Sequence, residues 1–160
     1  MILDVGCGAD PKGDVNVDRF LEDRTQCFKA WNPWETKNFV FADAEYLPFK
    51  DKAFSLLLAR HLIEHLENPL QALKEWSRVA EEVKITTPSA YNLDKTPTHL
   101  YTWNIFTLEN LAKQVFPKVR VRYTGLRNVV YGRFLKRIPL LALVLNRFPS
   151  ELEAVCGQKG

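Results

Sequence analysis

The sequence predicts a single α/β domain built on a doubly wound, mostly parallel sheet with helices on its faces. Six short stretches rich in apolar or β-branched residues recur along the chain, and segments with helical spacing of apolar residues separate the later ones. Strands that alternate with helices favour parallel pairing. At 160 residues the chain is long enough for one domain with a sizeable core.

The predicted strands share short apolar runs and lie at 2–5, 15–17, 39–42, 54–59, 83–87 and 119–124. The connection between the first two strands is unusually short, because only residues 6–14 separate them. A parallel crossover normally needs about a dozen residues or more. The first connecting helix is therefore expected to be a single turn or absent.

Two helices are predicted from their start signals and their apolar spacing. The first should begin after Asn68, an N-cap residue followed by proline, and continue to about Glu82. Thr107 is predicted to cap the second, which should stop before Pro117. Residues 20–31 form a weaker third candidate.

Composition points to a soluble chain in a reducing compartment. The three cysteines have no paired or metal-ligand spacing, which argues against a disulfide framework and predicts no structural metal. No basic-then-apolar leader opens the sequence, and the longest apolar stretch, 138–145, is shorter than the roughly 20 residues a membrane span needs. A cytoplasmic location is expected.

Charge is distributed unevenly. Residues 1–109 carry 12 basic and 17 acidic side chains, whereas residues 110–150 carry nine basic and no acidic ones. Within this part, 118–137 interleaves arginines with aromatic residues. It could bind a nucleic acid or an anionic membrane surface. Alternatively, it is a final strand and a packing helix with solvated arginines, or a contact within an oligomer.

The opening motif indicates a ligand at the end of the first strand. Gly6 and Gly8 allow a tight turn and close approach of a ligand. Pro11 stands where the dinucleotide-binding fingerprint has its third glycine, and Asp4 would repel a pyrophosphate. A dehydrogenase is therefore disfavoured, and a cationic ligand is favoured.

Two further acids end the next two strands. Asp18 is suited to accept hydrogen bonds from a ribose diol. Asp43 can accept one from an exocyclic amino group, and Ala44 offers its backbone amide to a ring nitrogen. Each aspartate could instead cap a turn. Together with Asp4, however, they fit one ligand with an adenine, a ribose and a cationic tail, which is S-adenosylmethionine.

The sequence resembles the class I S-adenosylmethionine-dependent methyltransferases, whose fold is Rossmann-like. The likeness rests on "LDVGCG", "VDR" and "DAEYLPFKDKAFSLLLARHLIEHLENPLQALKEWSRV"; it covers residues 2–88 in order, and 98–115 more loosely. The resemblance implies three groups of cofactor residues: Asp4, Gly6, Cys7 and Gly8 with Arg60 and His65 at the methionine part, Asp18 and Arg19 at the ribose, and Asp43 and Ala44 at the adenine.

Two departures from the family pattern bear on the site. The glycine pair that usually precedes the fifth strand is missing, which shortens a loop. The chain also starts at its first strand, whereas relatives commonly have upstream helices over the cofactor. The site is therefore expected to be open, or closed by a second copy, by a partner chain or by the C-terminal segment.

Methyl transfer needs positioning of the acceptor, and a general base only if the acceptor atom arrives protonated. His61 and His99 are the candidates for that base, although either could have an ordinary polar role. The aromatic residues of 99–103 could form a wall of the acceptor pocket or simply pack the loop. No Asn-Pro-Pro-Tyr-like motif and no cysteine stand directly after the fourth strand, which argues against methylation of a nucleic-acid base. The "HLIEHL" stretch there resembles relatives that act on small molecules, lipids or natural products, and this resemblance implies a small molecule or a lipid as acceptor.

The sequence therefore predicts an S-adenosylmethionine-dependent methyltransferase with an unidentified acceptor. Residues 1–124 should form the cofactor-binding core, and residues 125–160 a basic and apolar segment that packs on or extends the same domain. The alternative is a non-catalytic module with the same fold, which would bind a nucleic acid or a partner protein through 110–150. The three aspartates favour the enzyme, because a scaffold has no need of all of them.

Overall fold

The computed structural model describes residues 1–20, 32–90, 96–124 and 151–157. The strands are β1 (Ile2–Val5), β2 (Val15–Asp18), β3 (Phe39–Phe41), β4 (Phe54–Arg60), β5 (Ala80–Pro88), β6 (Lys118–Thr124) and β7 (Glu151–Gly157). The helices are α1 (Pro69–Val79) and α2 (Ile105–Ala112), with short 3-10 helices at Pro33–Glu35 and Ile63–His65. None of the described helices is long and apolar enough to cross a membrane.

The strands form one seven-stranded sheet in the order β3-β2-β1-β4-β5-β7-β6. The first five strands are mutually parallel, and β7 is antiparallel to both of its neighbours. The predicted α/β fold with a mostly parallel sheet is confirmed, and so are the six predicted strands to within a few residues. Strand β7 was not predicted from the sequence.

Parallel pairing brings the carboxyl ends of β1, β2, β3, β4 and β5 to one edge of the sheet, here called the carboxyl edge. Ligands of open α/β sheets bind at this edge. The antiparallel strand β7 begins there, because Glu151 is paired with Pro88 of β5 and with Thr124 of β6. One carboxylate from the end of the sequence therefore reaches the same edge.

The connection from β1 to β2 contains no helix, as its length predicted. The Asp14 side chain and backbone both bind the backbone of Ile2, at 2.8 Å each. At Gly13 a Cβ atom would lie 2.8 Å from the backbone nitrogen of Asp4, so only glycine fits without a shift. The connection is thus packed tightly against β1.

Helix α1 begins and ends abruptly. Asn68 is its N-cap, as predicted, and the helix buries Trp76, whose indole N–H donates to the carbonyl oxygen of Ala44 at 3.0 Å. The expected extension to Glu82 is wrong, since β5 already begins at Ala80. This direct junction agrees with the absence of a glycine pair before the fifth strand.

Helix α2 starts earlier than the sequence analysis predicted. Its N-cap is Asn104, whose side chain accepts from the backbone of Thr107 at 3.0 Å, while the Thr107 hydroxyl accepts from the backbone of Asn104 at 3.0 Å. Thr107 is therefore the third helical residue of a capping box, not the cap. The helix packs Leu108 and Ala112 toward β6 and β7, and it also contacts α1.

Several predictions fall on residues outside the described part of the chain. The helical candidate at 20–31 lies outside it except for its first residue. The basic segment 118–137 is described only as far as Thr124, and the apolar stretch 138–145 is not described. The interpretations of this segment as a membrane, nucleic-acid or oligomer contact therefore stay predictions.

Candidate functional site

The loop after β1 leaves open space above its second glycine. Gly6 and Gly8 have positive φ angles of 69° and 50°, the left-handed region that glycine adopts without strain. The backbone N–H groups of Gly6 and Cys7 both donate to the carbonyl oxygen of Val17, which ties the loop to β2. A Cβ on Gly8 would meet no atom within 4 Å, so a ligand can approach the backbone there.

Asp4 is fully buried beneath this loop. Its Oδ2 atom accepts from the guanidinium of Arg60 and from the backbone of Lys12, both at 2.8 Å. Burial nevertheless raises the pKa of the Asp4 carboxyl, against the opposing effect of Arg60. Its Oδ1 atom is buried and accepts no hydrogen bond from the described residues. Asp4 therefore has a position for one more donor.

Arg60 joins the end of β4 to the same loop. Besides the ion pair with Asp4, it donates to the carbonyl oxygen of Asp10 and lies 3.3 Å from the Asp10 carboxylate. Its Nε atom is buried and has no hydrogen-bond acceptor among the described residues. The resemblance placed Arg60 near Asp4, and the two side chains are in direct contact.

Asp18 lies beside the loop and is held by backbone donors. Its Oδ2 atom accepts from the N–H of Gly8, and its Oδ1 atom from the N–H of Phe20, both at 3.0 Å. Each oxygen retains a lone pair for a second donor. We call Asp4, Gly6, Gly8, Asp18 and Arg60 the glycine-loop cluster.

Asp43 and Ala44 follow β3, next to the glycine-loop cluster. The Asp43 Oδ1 atom accepts from the N–H of Glu45 at 2.8 Å, and its Oδ2 atom lies 3.7 Å from the guanidinium of Arg19. Ala44 is buried and its carbonyl oxygen accepts from Trp76. The ion pair connects the ends of β2 and β3, so the predicted ribose and adenine residues are neighbours.

Cys7 is a buried thiol between these carboxylates. Burial and the nearby Asp18 and Asp4 raise its pKa to about 12. The sulfur is therefore protonated at neutral pH and is a poor nucleophile. Cys7 packs the loop, and the structure gives its thiol no role in covalent chemistry.

A second cluster lies where β4 and β5 end, and its centre is a carboxylate that the sequence analysis missed. The Glu64 side chain is 1% exposed. Its Oε2 atom accepts from the hydroxyl of Thr87 at 3.0 Å, and its Oε1 atom has no hydrogen-bond donor among the described residues. Burial raises the pKa of Glu64 to about 7. Its apolar neighbours in the sequence, Ile63 and Leu66, were the available signal.

His61 lies between two carboxylates of this second cluster. Its Nδ1 atom is 3.7 Å from Oε1 of Glu64, and its Nε2 atom is 3.5 Å from Oε1 of Glu151. The residue has a positive φ of 49°, which costs a non-glycine residue about 1–3 kcal/mol. The backbone N–H of His61 donates to the carbonyl oxygen of Thr86 at 2.8 Å, and this contact helps to hold the backbone conformation.

His65 and His99 form the other side of the second cluster. Their rings meet edge to face with centroids 4.7 Å apart. The Nδ1 atom of His65 lies 3.0 Å from the carbonyl oxygen of Thr98, and burial lowers the pKa of this imidazole. One ring nitrogen of each histidine and one carboxylate oxygen of Glu64 lie within 4.8 Å of one another. We call His61, Glu64, His65 and His99 the histidine cluster.

The aromatic residues of the loop 99–103 lie beside the histidine cluster. Tyr101 stacks on Trp103 with centroids 5.5 Å apart, and its hydroxyl donates to the carbonyl oxygen of Glu67 at 3.2 Å. Trp103 is buried, and its indole nitrogen finds no acceptor in the described part of the chain. The loop is packed, but it retains one donor without an acceptor among the described residues. It could therefore either form a wall of the acceptor pocket or serve only as packing.

The described start of the basic segment is a strand with one charged face. Along β6, Arg120 and Arg122 alternate with partly buried apolar residues. Arg122 donates to Glu153 across the strand pair, and Lys84 approaches the same carboxylate at 2.7 Å. Part of the positive charge is thus balanced within the sheet.

The central part of the chain is similar to a known protein family. Residues 15–82 match the sequence profile of a family described as a methyltransferase domain. This range includes Asp18, Asp43, Arg60 and the first three residues of the histidine cluster. Among curated protein sequences, none matches this chain.

Solved structures share the fold over nearly the whole chain. A methyltransferase of Archaeoglobus fulgidus that depends on S-adenosylmethionine aligns with a TM-score of 0.64 and 20% identity, over 98% of this chain and 85% of its own. A possible histamine N-methyltransferase of Thermotoga maritima aligns with a TM-score of 0.67 and 14% identity, over 99% of this chain and 82% of its own. The methyltransferase of Haloferax volcanii that was solved in complex with the Trm112 activator aligns with a TM-score of 0.68 and 13% identity, over 99% of this chain and 82% of its own. At these identities the likeness establishes the fold.

Proposed function

We infer that this chain is a class I S-adenosylmethionine-dependent methyltransferase and that it transfers a methyl group to a small molecule or a lipid. The match of residues 15–82 to a methyltransferase domain and the shared fold support S-adenosylmethionine as the cofactor and methyl transfer as the reaction. The observation that carries the proposal is the set of three carboxylates, Asp4, Asp18 and Asp43, that the parallel strands β1, β2 and β3 bring to the carboxyl edge. The acceptor class and the residue roles below are our proposal.

The glycine-loop cluster fits the methionine part of the cofactor. When bound, S-adenosylmethionine supplies a methyl group that its sulfonium has already activated. Oδ1 of Asp4 can accept from an ammonium group, because its other oxygen is already occupied by Arg60 and Lys12. The open space at Gly8 lets a ligand lie against the backbone, whereas a side chain at this position would occupy that space. Gly6 and Cys7 complete this turn.

The nucleoside part is assigned to the ends of β2 and β3. Asp18 is held by two backbone donors and can accept from a ribose diol through its remaining lone pairs. Asp43 and Ala44 are placed to bind an adenine edge, and Arg19 bridges to Asp43. Because backbone contacts orient these groups before binding, little reorganisation is needed.

Arg60 and His65 were both expected at the methionine end. Arg60 is the better supported of the two, because it contacts Asp4 directly. The side chain of His65 contacts Thr98 and His99 instead. We propose that Arg60 sets the position of Asp4 in the cofactor site.

His61 is the proposed general base for an acceptor that arrives protonated. It is half exposed at the carboxyl edge, and the carboxylates of Glu64 and Glu151 lie within 3.7 Å and 3.5 Å of its ring nitrogens. A carboxylate beside an imidazole stabilises the imidazolium that forms when the ring takes a proton. His99, the second candidate, has no carboxylate in an ion-pair contact among the described residues.

Methyl labelling tests the acceptor class. Protein is incubated with S-adenosylmethionine labelled in its methyl group and with a cell extract, which is then separated into lipid, small-molecule, nucleic-acid and protein fractions. We expect the label in the lipid or small-molecule fraction. Label confined to the nucleic-acid or protein fraction would contradict the proposed acceptor, while leaving the methyltransferase activity itself established.

A labelled acceptor then tests the base. Loss of a general base typically lowers the rate by about 10² to 10⁴. His61→Gln should do so with unchanged affinity for S-adenosylmethionine. Both variants are measured in chelator-treated protein, and a larger loss in His99→Gln than in His61→Gln would contradict His61 as the base.

A further inference from the structure

We propose that Glu64, His65 and His99 form a binding site for one divalent transition-metal ion such as Zn²⁺. One potential ligand atom from each of the three residues lies within 4.8 Å of the others. The sequence predicted no metal, because His99 is distant in sequence from the other two and no ligand spacing is visible. The fold brings them together, and the inference is independent of the proposed acceptor.

The hydrogen bond of His65 leaves the correct nitrogen for a metal. The carbonyl oxygen of Thr98 can only accept, so the Nδ1 atom that faces it at 3.0 Å carries the proton. The Nε2 atom of a neutral His65 then has a lone pair. Histidine ligands of metals typically donate their other ring N–H to a carbonyl or a carboxylate, which fixes the tautomer and the ring.

The backbone holds the three residues in register. The carbonyl oxygen of Glu64 accepts from the N–H groups of Leu100 and Tyr101, at 2.8 Å and 3.2 Å. These contacts fix the loop that contains His99 against the turn that contains Glu64. The three ligands therefore come from two segments that are already bound to each other, so little conformational freedom is lost when an ion binds.

Glu64 supplies an independent reason for a cation. Its side chain is 1% exposed, and Oε1 accepts no hydrogen bond from the described residues. No lysine or arginine in the described part of the chain forms an ion pair with it; its charged neighbour is His61, at 3.7 Å. A buried carboxylate is costly unless a cation or donors compensate its charge. A metal ion would satisfy this oxygen.

The donor set indicates the kind of metal. Two imidazoles and one carboxylate are ligands that zinc and its neighbours prefer, and three protein ligands leave a fourth position for water or a substrate. Ligand atoms about 2.1 Å from a tetrahedral ion lie about 3.4 Å apart. His65 and His99 are both only half-buried, so modest rotations of their rings can close the remaining gap.

Metal titration of the chelator-treated protein tests the proposal. Zn²⁺ alone is titrated by calorimetry, and Co²⁺ alone is followed by its visible absorption. We expect one ion per chain and a cobalt spectrum typical of four or five ligands. Each of His99→Ala and Glu64→Gln should weaken binding by about tenfold or more, since losing an outer-shell partner already costs that much.

The third histidine provides the matched control. His61→Ala removes an imidazole that also contacts Glu64 but lies outside the proposed ligand set, and it should bind Zn²⁺ within about threefold of the wild type, well below the effect of a lost ligand. Circular dichroism and the metal-free Tm of His99→Ala should match the wild type. No binding by the wild type, equal binding by a folded His99→Ala, or an equal loss in His61→Ala would overturn the assignment.

Discussion

The glycine-loop cluster and the histidine cluster each bury a carboxylate at the same edge of the sheet, but they balance its charge differently. Asp4 and Glu64 are 0% and 1% exposed. Asp4 forms an ion pair with Arg60, whereas Glu64 has a hydroxyl and a histidine as neighbours. The first carboxylate has its cation within the chain. The second is where a proton or an external cation would bind.

The largest expected effect comes from breaking the internal ion pair. Asp4→Ala removes the buried partner of Arg60. Because the guanidinium is partly exposed and retains Asp10, the cost should lie between that of an exposed and of a fully buried pair, at about 2–3 kcal/mol. Urea unfolding of the ligand-free protein measures this loss. Asp51→Ala is the control, because Asp51 is an exposed carboxylate whose partner, Arg78, retains Glu75; it should be nearly silent. A loss below about 1 kcal/mol for Asp4→Ala, typical of an exposed pair, would show that the ion pair contributes little.

The pH dependence of stability should reveal the uncompensated carboxylate. The pKa of Glu64 is raised by burial to about 7 in the folded chain, from an ordinary value of 4.5. Between these values the folded chain binds more protons than the unfolded chain, so the free energy of unfolding falls as pH rises through this window. The difference of roughly 2.5 between the folded and unfolded pKa values corresponds to about 3 kcal/mol in the free energy of unfolding.

Glu64→Gln should remove most of that fall near pH 7 in metal-free protein, measured by urea unfolding from pH 4.5 to 8, and leave only the fall that the raised pKa of Asp4 contributes. Glu75→Gln is the matched control, because Arg78 lowers the pKa of Glu75 and its contribution is lost at acid pH instead. The Glu75 variant should therefore keep the fall between pH 5 and 7. An unchanged pH profile in Glu64→Gln would mean that this carboxyl is not the group responsible.

The smallest effects on stability are expected from Gly6→Ala and Gly8→Ala, which distinguish a glycine needed for packing from one needed for ligand access. Both glycines have positive φ, so alanine costs about 1–2 kcal/mol at either position. At Gly6 the new Cβ would also lie 2.9 Å from the Leu62 side chain, whereas at Gly8 it enters open space. Thermal unfolding should rank Gly6→Ala as less stable than Gly8→Ala. Gly8→Ala should instead weaken cofactor binding beyond its effect on stability; the reverse ranking would show that the loop is packed differently.

Local sequence signals were sufficient to place three aspartates at the carboxyl edge. Asp4, Asp18 and Asp43 each end or nearly end a strand, and parallel pairing alone brings them to one edge. The helix start at Asn68 was also predictable, because the N-cap residue and the proline after it act within one turn. Thr107 misled the prediction of α2, since Asn104 is an equally good cap three residues earlier.

Long-range contacts explain what the sequence did not reveal. Strand β7 places Leu152, Ala154 and Cys156 on its buried face, but glutamate and alanine are depleted in strands, so the strand signal in the sequence was weak. Its place depends on pairing with β5 and β6, which are distant in sequence. Glu64 similarly resembled a solvated charge in the sequence, and its contacts with the strand that contains Thr87 and the loop that contains His99 form only in the fold.

Calorimetric titration with S-adenosylmethionine and S-adenosylhomocysteine, on wild type and Asp18→Ala, tests the central claim most directly. Asp18 accepts from Gly8 and Phe20 and is proposed to hold the ribose. We expect micromolar binding by the wild type and at least about tenfold weaker binding by the variant, a difference of about 1.4 kcal/mol. Asp51→Ala should bind like the wild type. No heat with either ligand, or equal affinity for wild type and Asp18→Ala, would contradict the cofactor site described above.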